Sequence, residues 1–470
     1  MFVDLGWLSS TPLPPFVIIG SGPAGLSLAL ELERLGKPSI VLEAGEMEYS
    51  EESQDHYVGR VVGDPYYDLS SARLRMFGGS SNHWGGWSRQ LDKHDFEARP
   101  DFPNTGWPID ADELHAFLPA AQRVLELPTT GNRHFTEEVD EIEISIKSTV
   151  HFNVKYQAHI SNSKLVHVAL DTAVTDLKAV AGRIVSVKVR NNEQDAEIPV
   201  QNVILACGGI ENSRLLLWSN VTSPEPVVAQ AETLGRYWME HPTFTVGIAS
   251  LGSKLRDKLD KAGVLFFAPK ASALEKYGLL NANIRLVGRG PENGFHRAAC
   301  KAANADIVAF GDTADEFGCN AEVGISWEQL PSRDNRIELG DEKDRFGVPR
   351  PVLYWKKHDI DYVTVKKALE LFGKALVDAD LGYVRAADYV RWQRGFPSNG
   401  ELAGNHHMGG TRMASSASEG VVDKDLKVFG MQNLFVAGSS VFPTVGHANP
   451  TLTIVQLSIR LAERLAGRHE

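Results

Sequence analysis

Residues 16–45 read FVIIGSGPAGLSLALELERLGKPSIVLEAG, and within them Gly20, Gly22 and Gly25 stand in the spacing G-x-G-x-x-G. The chemistry of that spacing is phosphate binding. One glycine makes a tight turn, a second lets backbone approach a pyrophosphate, and a third lets a helix pack closely on a strand. The amino end of the following helix adds free N–H groups and positive partial charge. Glu43 closes the next strand, where a carboxylate accepts hydrogen bonds from an adenosine ribose and disfavours a 2′-phosphate. The dinucleotide expected is therefore FAD or NAD rather than NADP. An ordinary strand–helix turn with chance glycines is the competing reading; it leaves the order of strand, turn, helix, strand and acidic residue unexplained.

These residues need elements to position them. Phe16 to Ile19 form an apolar, β-branched run that reads as a buried strand, Ala24 to Leu35 a helix, and Lys37 to Leu42 a second strand. Alternating patterns at Lys164–Leu170, Val174–Leu177 and Ile184–Arg190 predict further strands. Val203 to Ala206 run into Cys207, Gly208 and Gly209 and then a helix, as if the chain returned to the same sheet. Residues 76–91, MFGGSSNHWGGWSRQL, read as a Gly- and Ser-rich loop. A helix is expected from Asp110 to Leu127. Strands at 244–250, 264–268, 280–287, 321–327, 335–339 and 351–356 suggest one antiparallel sheet, with a helix at Asp359–Ala379 on one side. Asn433 to Ala437 form a strand, and Pro450 begins a helix running to Ala466. Residues 1–15 read as a Pro-ended lead-in.

The 470 residues suffice for two domains or one interleaved unit, and the 43% hydrophobic content fits a substantial core. A net charge of −12 lacks the basic footprint of a nucleic-acid binder. No apolar run approaches the ~20 residues of a membrane span. The first residues carry neither a basic region nor a long apolar stretch, so no secretory signal is expected. Cys207, Cys300 and Cys319 are too scattered for a disulfide framework or a zinc site, which favours a cytoplasmic location. The acidic run at 341–344 reads as a solvated turn, and no metal is expected.

GSGPAG, GGSSNHWGG, VILACGGIENSRLLL, GRYWMEHP, HHMGGTRM and NLFVAGSSVFPTVGHANPTLT occur in this order along nearly the whole chain. Together they resemble the glucose–methanol–choline (GMC) oxidoreductases, nearest the branch of pyranose 2-oxidase and bacterial glycoside oxidoreductases. The resemblance implies an α/β plus α+β fold: a Rossmann-like FAD-binding domain with an interleaved substrate domain over a large antiparallel sheet. The implied FAD-binding segments are 13–110, 150–236 and 430–470, and the substrate domain takes 111–149 and 237–429. The implied reaction oxidises a CH–OH group to a carbonyl, with the hydroxyl proton passing to a base and hydride to flavin N5.

His406 matches the histidine that opens the family's H-x-x-G-T loop, and Asn449 the second position of the catalytic pair. An imidazole near neutral pKa suits the base, and a carboxamide donates a hydrogen bond to the substrate oxygen. His407 and His447 are the other candidates for the base. His83 falls where pyranose 2-oxidase carries a histidine bonded to the flavin 8α-methyl; packing against the ring without a bond is the favoured reading here. Gly78, Gly79, Ser80, Ser81 and Asn82 are expected at the pyrophosphate or flavin, and Val174 at the adenine. Cys207 reads as a small buried neighbour of the cofactor, not a nucleophile. Gly438 and the helix start at Pro450 and Thr451 are expected to set a positive helix end against flavin N1 and C2=O. Glu240, His241 and Pro242 read as structural, while Trp87, Arg89 and Gln90 are placed on the substrate cleft. The expected substrate is a sugar, glycoside or cyclitol, with oxygen or a quinone-type carrier as acceptor. The alternatives are an FAD-containing lyase of the same fold, a primary-alcohol oxidase of a natural-product pathway, and an NAD-binding dehydrogenase.

Overall fold

Four strands end in one row. Ile19 lies beside Leu42 on one side and Leu205 on the other, and Leu205 beside Val436. The computed structural model describes residues 1–146, 149–192, 194–288 and 319–468. Its six-stranded parallel sheet runs in the order Phe2–Val3, Val166–Ala169, Ser39–Leu42, Phe16–Ile19, Asn202–Leu205 and Leu434–Val436. The β-branched and aliphatic composition of these strands suits a sheet covered on both faces, and Val17, Ile18, Ile40, Val41, Val203 and Ile204 are wholly buried. The carboxyl ends of such strands border the crevice in which open α/β sheets hold ligands. Gly20, Glu43, Cys207 and Gly438 all come just past that row.

The helices Pro23–Arg34 and Thr451–Leu465 pack together over the sheet. Gly25 lets the first of these helices lie close on the strand and turn before it: a Cβ there would lie 1.9 Å from the Gly20 carbonyl oxygen. The phosphate-type turn itself needs Gly20, whose φ is +104°.

A seven-stranded sheet carries the other half: Gly382–Ala386, Thr243–Leu251, Cys319–Trp327, Ala282–Gly288, Val264–Pro269, Val139–Ile142 and Asn132–His134, antiparallel throughout. The helix Asp359–Asp378 lies on it and buries Val365, Leu369, Phe372 and Leu376. The architecture is thus a Rossmann-like α/β unit joined to a substrate-side unit over a large antiparallel sheet.

Several elements differ from their sequence reading. Arg336–Lys343 and Pro349–Trp355 are not in the large sheet; they form a three-stranded sheet with Arg60–Gly63, which pairs parallel to 349–355. The lead-in holds an edge strand, Phe2–Val3, and a short helix, Leu5–Ser10. The helix expected over 110–127 is two, Ala111–His115 and Leu118–Leu125, because Pro119 cannot donate back into the first. Ala111, Leu114, Ala121 and Leu125 join the core beneath the parallel sheet, whereas Val139 joins that of the seven-stranded sheet. Cys300 lies outside the described residues. Among these, no helix is long and apolar enough to cross a membrane.

Candidate functional site

One cavity of about 720 Å³ opens along the row of strand ends. Three helices begin on it, at Pro23, Gly208 and Thr451, and none has a side-chain cap. The first N–H groups of a helix have no intrahelical acceptor and carry about half a positive charge. Three such ends on one cavity are complementary to an extended anionic ligand.

Gly20, Gly22, Glu43, Gly79, Ser80, Ser81, His83, Val174, Cys207, Gly438, Asn449, Pro450 and Thr451 line the cavity. Gly25, Gly78 and Asn82 do not; they build its wall. Gly78 N–H donates to Ser21 Oγ at 3.1 Å, and Asn82 Nδ2 donates to the Phe77 carbonyl at 2.8 Å. Ser21 N and Oγ both donate to Glu43 Oε2, at 2.9 and 2.6 Å, and Gly45 N donates to Oε1 at 2.8 Å. Glu43 therefore joins the glycine turn to the 76–82 loop while lining the cavity. Burial raises its carboxyl against these hydrogen bonds. The Ser81 hydroxyl proton is committed to the Gly78 carbonyl, so it is not free for a phosphate. The Cys207 thiol donates to the Ile19 carbonyl and is pushed up by burial, which fits a packing role and no nucleophile. Burial lowers His83.

The other end of the cavity is built by two segments laid side by side. Met239 and Met408 exchange backbone hydrogen bonds, and Gly404 N donates to the His241 carbonyl. This ladder sets residues 403–409 against 237–242. Asn405 sits at φ +57°, a left-handed conformation that asparagine tolerates, and turns His406 into the cavity. Glu240 clamps the turn: its carboxylate accepts from His406 N at 2.7 and 2.9 Å, from His241 N at 2.8 Å, and from the Tyr66 hydroxyl. Burial pushes Glu240 up to about 7, against the pull of these donors.

His406 Nε2 lies 3.3 Å from Asn449 Nδ2, across 43 residues of sequence. His406 Nδ1 lies 2.9 Å from His241 Nδ1, and His241 Nε2 lies 2.9 Å from the Gly446 carbonyl. Burial, then His241 and His407, hold His406 well below the usual imidazole value.

His407 also lines the cavity, wedged between Tyr66 and Trp238, and its buried Nε2 has no protein partner. Burial, then Arg73 and His83, bring it to about 3. His447 stands off the cavity, 3.4 Å from Asp92. Trp87 lines the cavity, but Arg89 and Gln90 do not; Arg89 is buried and bonds Asp92 and Asn132. The acidic run is no uniformly solvated turn, because Asp344 is buried and pairs with Arg214 at 2.8 Å and His56 at 3.1 Å. The sequence reading missed His241 as a site residue, although the quoted GRYWMEHP contains it.

A flavin dinucleotide fits these residues on two counts: the uncapped helix ends and the glycine turn with Glu43.

Residues 331–458 match the family model for GMC oxidoreductase. The chain is 25% identical over 288 residues to the fructose dehydrogenase large subunit of Gluconobacter japonicus, covering 58% of this chain and 48% of that one. It is 25% identical over 296 residues to a C-glycoside 3-oxidase of Microbacterium trichothecenolyticum, covering 61% and 50%. The chain thus spans about half the length of the curated relatives it matches. Among solved structures, pyridoxine 4-oxidase from Mesorbium loti superposes with a TM-score of 0.62 at 16% identity, covering 97% of this chain and all of that one. Formate oxidase gives 0.58 at 17% identity, over 97% and 99%. The family model thus matches the segment that holds His406 and Asn449: residues 331–458 are similar to the GMC oxidoreductases, and the whole chain shares the fold of these solved oxidases.

Proposed function

We propose that the protein is an FAD-dependent enzyme that oxidises a CH–OH group of a sugar, glycoside or cyclitol to a carbonyl. The observation that carries this reading is the pairing of His406 Nε2 with the Asn449 carboxamide on the same cavity as the glycine turn. Gly20, Gly22, Glu43, Gly79, Val174 and Gly438 would hold the dinucleotide, with Pro450 and Thr451 at the ring end. FAD held there supplies a two-electron acceptor for the hydrogen leaving the carbinol carbon. His406 takes the hydroxyl proton at Nε2, and Asn449 donates its amide hydrogen to the oxygen as negative charge grows on it. His407, taken by burial first to about 3, stays neutral beside the cavity and is no base. His83, on the cavity wall, would pack beside the ring without a covalent link. Arg285, Glu401, Thr243, Ser326 and Trp87 line the far end of the cavity. One aromatic face beside polar and charged groups suits a polyhydroxylated ring. The nucleotide-binding domain takes 1–125, 150–236 and 430–470, adding the edge strand Phe2–Val3 and the helices at 111–125; residues 126–149 and 237–429 form the substrate domain.

The test is anaerobic mixing of purified protein with a panel of sugars, glycosides and cyclitols. Bleaching of a flavin band by one of these, and its loss of rate in His406→Ala with flavin retained, is the expected result. Wild-type rates in that variant remove His406 from the role, and a protein that binds no flavin removes the reading altogether. Yellow colour left in an acid-precipitated pellet would overturn noncovalent binding.

A further inference from the structure

Only one nitrogen of a neutral imidazole is a base, and the chain must choose which. The choice at His406 can be followed outward through three contacts. The Gly446 carbonyl only accepts, so His241 Nε2, 2.9 Å away, carries a hydrogen. A neutral His241 protonated at Nε2 has its lone pair at Nδ1. His406 Nδ1, 2.9 Å from that lone pair, must then donate. That leaves the lone pair of His406 on Nε2, facing the cavity and the Asn449 amide at 3.3 Å.

We propose that His241 is a positioning residue that fixes His406 in the Nδ1–H tautomer and so aims its basic nitrogen at the substrate hydroxyl. This role rests on the reading of His406 as the base. It differs from the structural part that the sequence alone assigns to Glu240–His241–Pro242.

The local architecture supports a fixed tautomer. His241 is 2% exposed, so no solvent competes for its nitrogens. Its ring meets that of His406 edge-on, at 5.0 Å between centroids and 87° between planes, which directs one nitrogen at the other. Glu240 bonds the backbone N–H of both histidines and fixes their spacing. Both imidazoles are neutral at neutral pH, because burial takes His241 down to about 4 and His406 well below its usual value. When the substrate O–H bond breaks and Nε2–H forms, the positive charge gained by His406 is met at Nδ1–H by the lone pair of His241. The proton needs no further carrier at this step.

The proposal is tested in two ways on the full chain. In protein labelled with 15N-histidine, the His406 signals, assigned by their loss in His406→Gln, should report an unprotonated Nε2 and a protonated Nδ1 at neutral pH. The reverse tautomer, or an even mixture, overturns the proposal whether or not any substrate has been found. In the second test, His241→Leu removes the acceptor, while His241→Asn places a carbonyl oxygen where Nδ1 was. His241→Leu should lower the rate of flavin reduction roughly 100-fold, the low end of a general-base contribution, with KM nearly unchanged. His241→Asn should restore at least about tenfold of that loss. A full rate in His241→Leu, or an Asn variant no better than the Leu variant, overturns the proposal. If neither variant folds, the tautomer measured in the unsubstituted protein decides alone.

Discussion

Gly209→Ala is the perturbation that best separates the geometry of the site from its chemistry. Gly209 lies in the first turn of the helix Gly208–Thr222, against the backbone of the histidine loop. A Cβ on it would fall 2.1 Å from the His407 carbonyl oxygen, 2.6 Å from its carbonyl carbon and 2.7 Å from its Cβ. None of these atoms is the far end of a flexible side chain. That oxygen also accepts from Ser439 Oγ at 2.6 Å, a bond the methyl displaces. Ordinary contact begins near 3.4 Å, so the loop must retreat by about an ångström. His406 is the preceding residue, and its 3.3 Å contact with Asn449 has no slack for such a shift. A misplacement of about 1 Å at a reacting group costs roughly 100-fold in rate. Overpacking of this kind costs about 1–3 kcal/mol of stability. The assay is stopped-flow flavin reduction beside thermal unfolding, each against wild type. The expected result is a folded, flavin-bearing protein with a reduction rate down about 100-fold. A rate within a factor of about three of wild type would refute the reasoning, because the loop would then have absorbed the methyl without moving His406.

The reduction rate should stay flat as pH falls from 7 through 6.5, since His406 is held below that value by burial and its histidine neighbours; a half-maximal rate at 6.5 or above contradicts this. Gly25→Ala places a methyl 1.9 Å from the Gly20 oxygen, and the purified variant should lose its flavin-to-protein absorbance ratio or fail to fold. Asp344→Asn takes from buried Arg214 one of its two carboxylate partners, Glu211 at 3.0 Å being the other, and should cost about 1–3 kcal/mol in denaturant unfolding. Burial raises Asp344, but His56 and Arg214 outweigh it and hold the carboxyl below its usual value. Its contribution is thus present above the ordinary carboxylate range and lost as pH falls through the depressed value, so the gap between wild type and Asp344→Asn should narrow in acid.

The sequence alone determined the elements whose patterns are local. The strand Phe16–Ile19, the glycine turn and the helix behind it announce themselves within thirty residues, because strand periodicity, turn conformation and helix packing each demand particular neighbours. The apolar strands at 243–251 and 264–269 and the long helix at 359–378 are legible for the same reason. Tertiary structure alone decided the pairing of Arg60–Gly63 with Pro349–Trp355, since a short exposed strand carries no mark of a partner so distant in sequence. It also gives the histidines different surroundings. His406, His407 and His447 have the same side chain and similar glycine-rich surroundings in sequence. What separates them is contact with groups far along the chain: His241 and Asn449 for the first, Tyr66 and Trp238 for the second, Asp92 for the third. An imidazole's basicity and direction come from such neighbours. No period in the sequence encodes them, and only the folded chain brings them together.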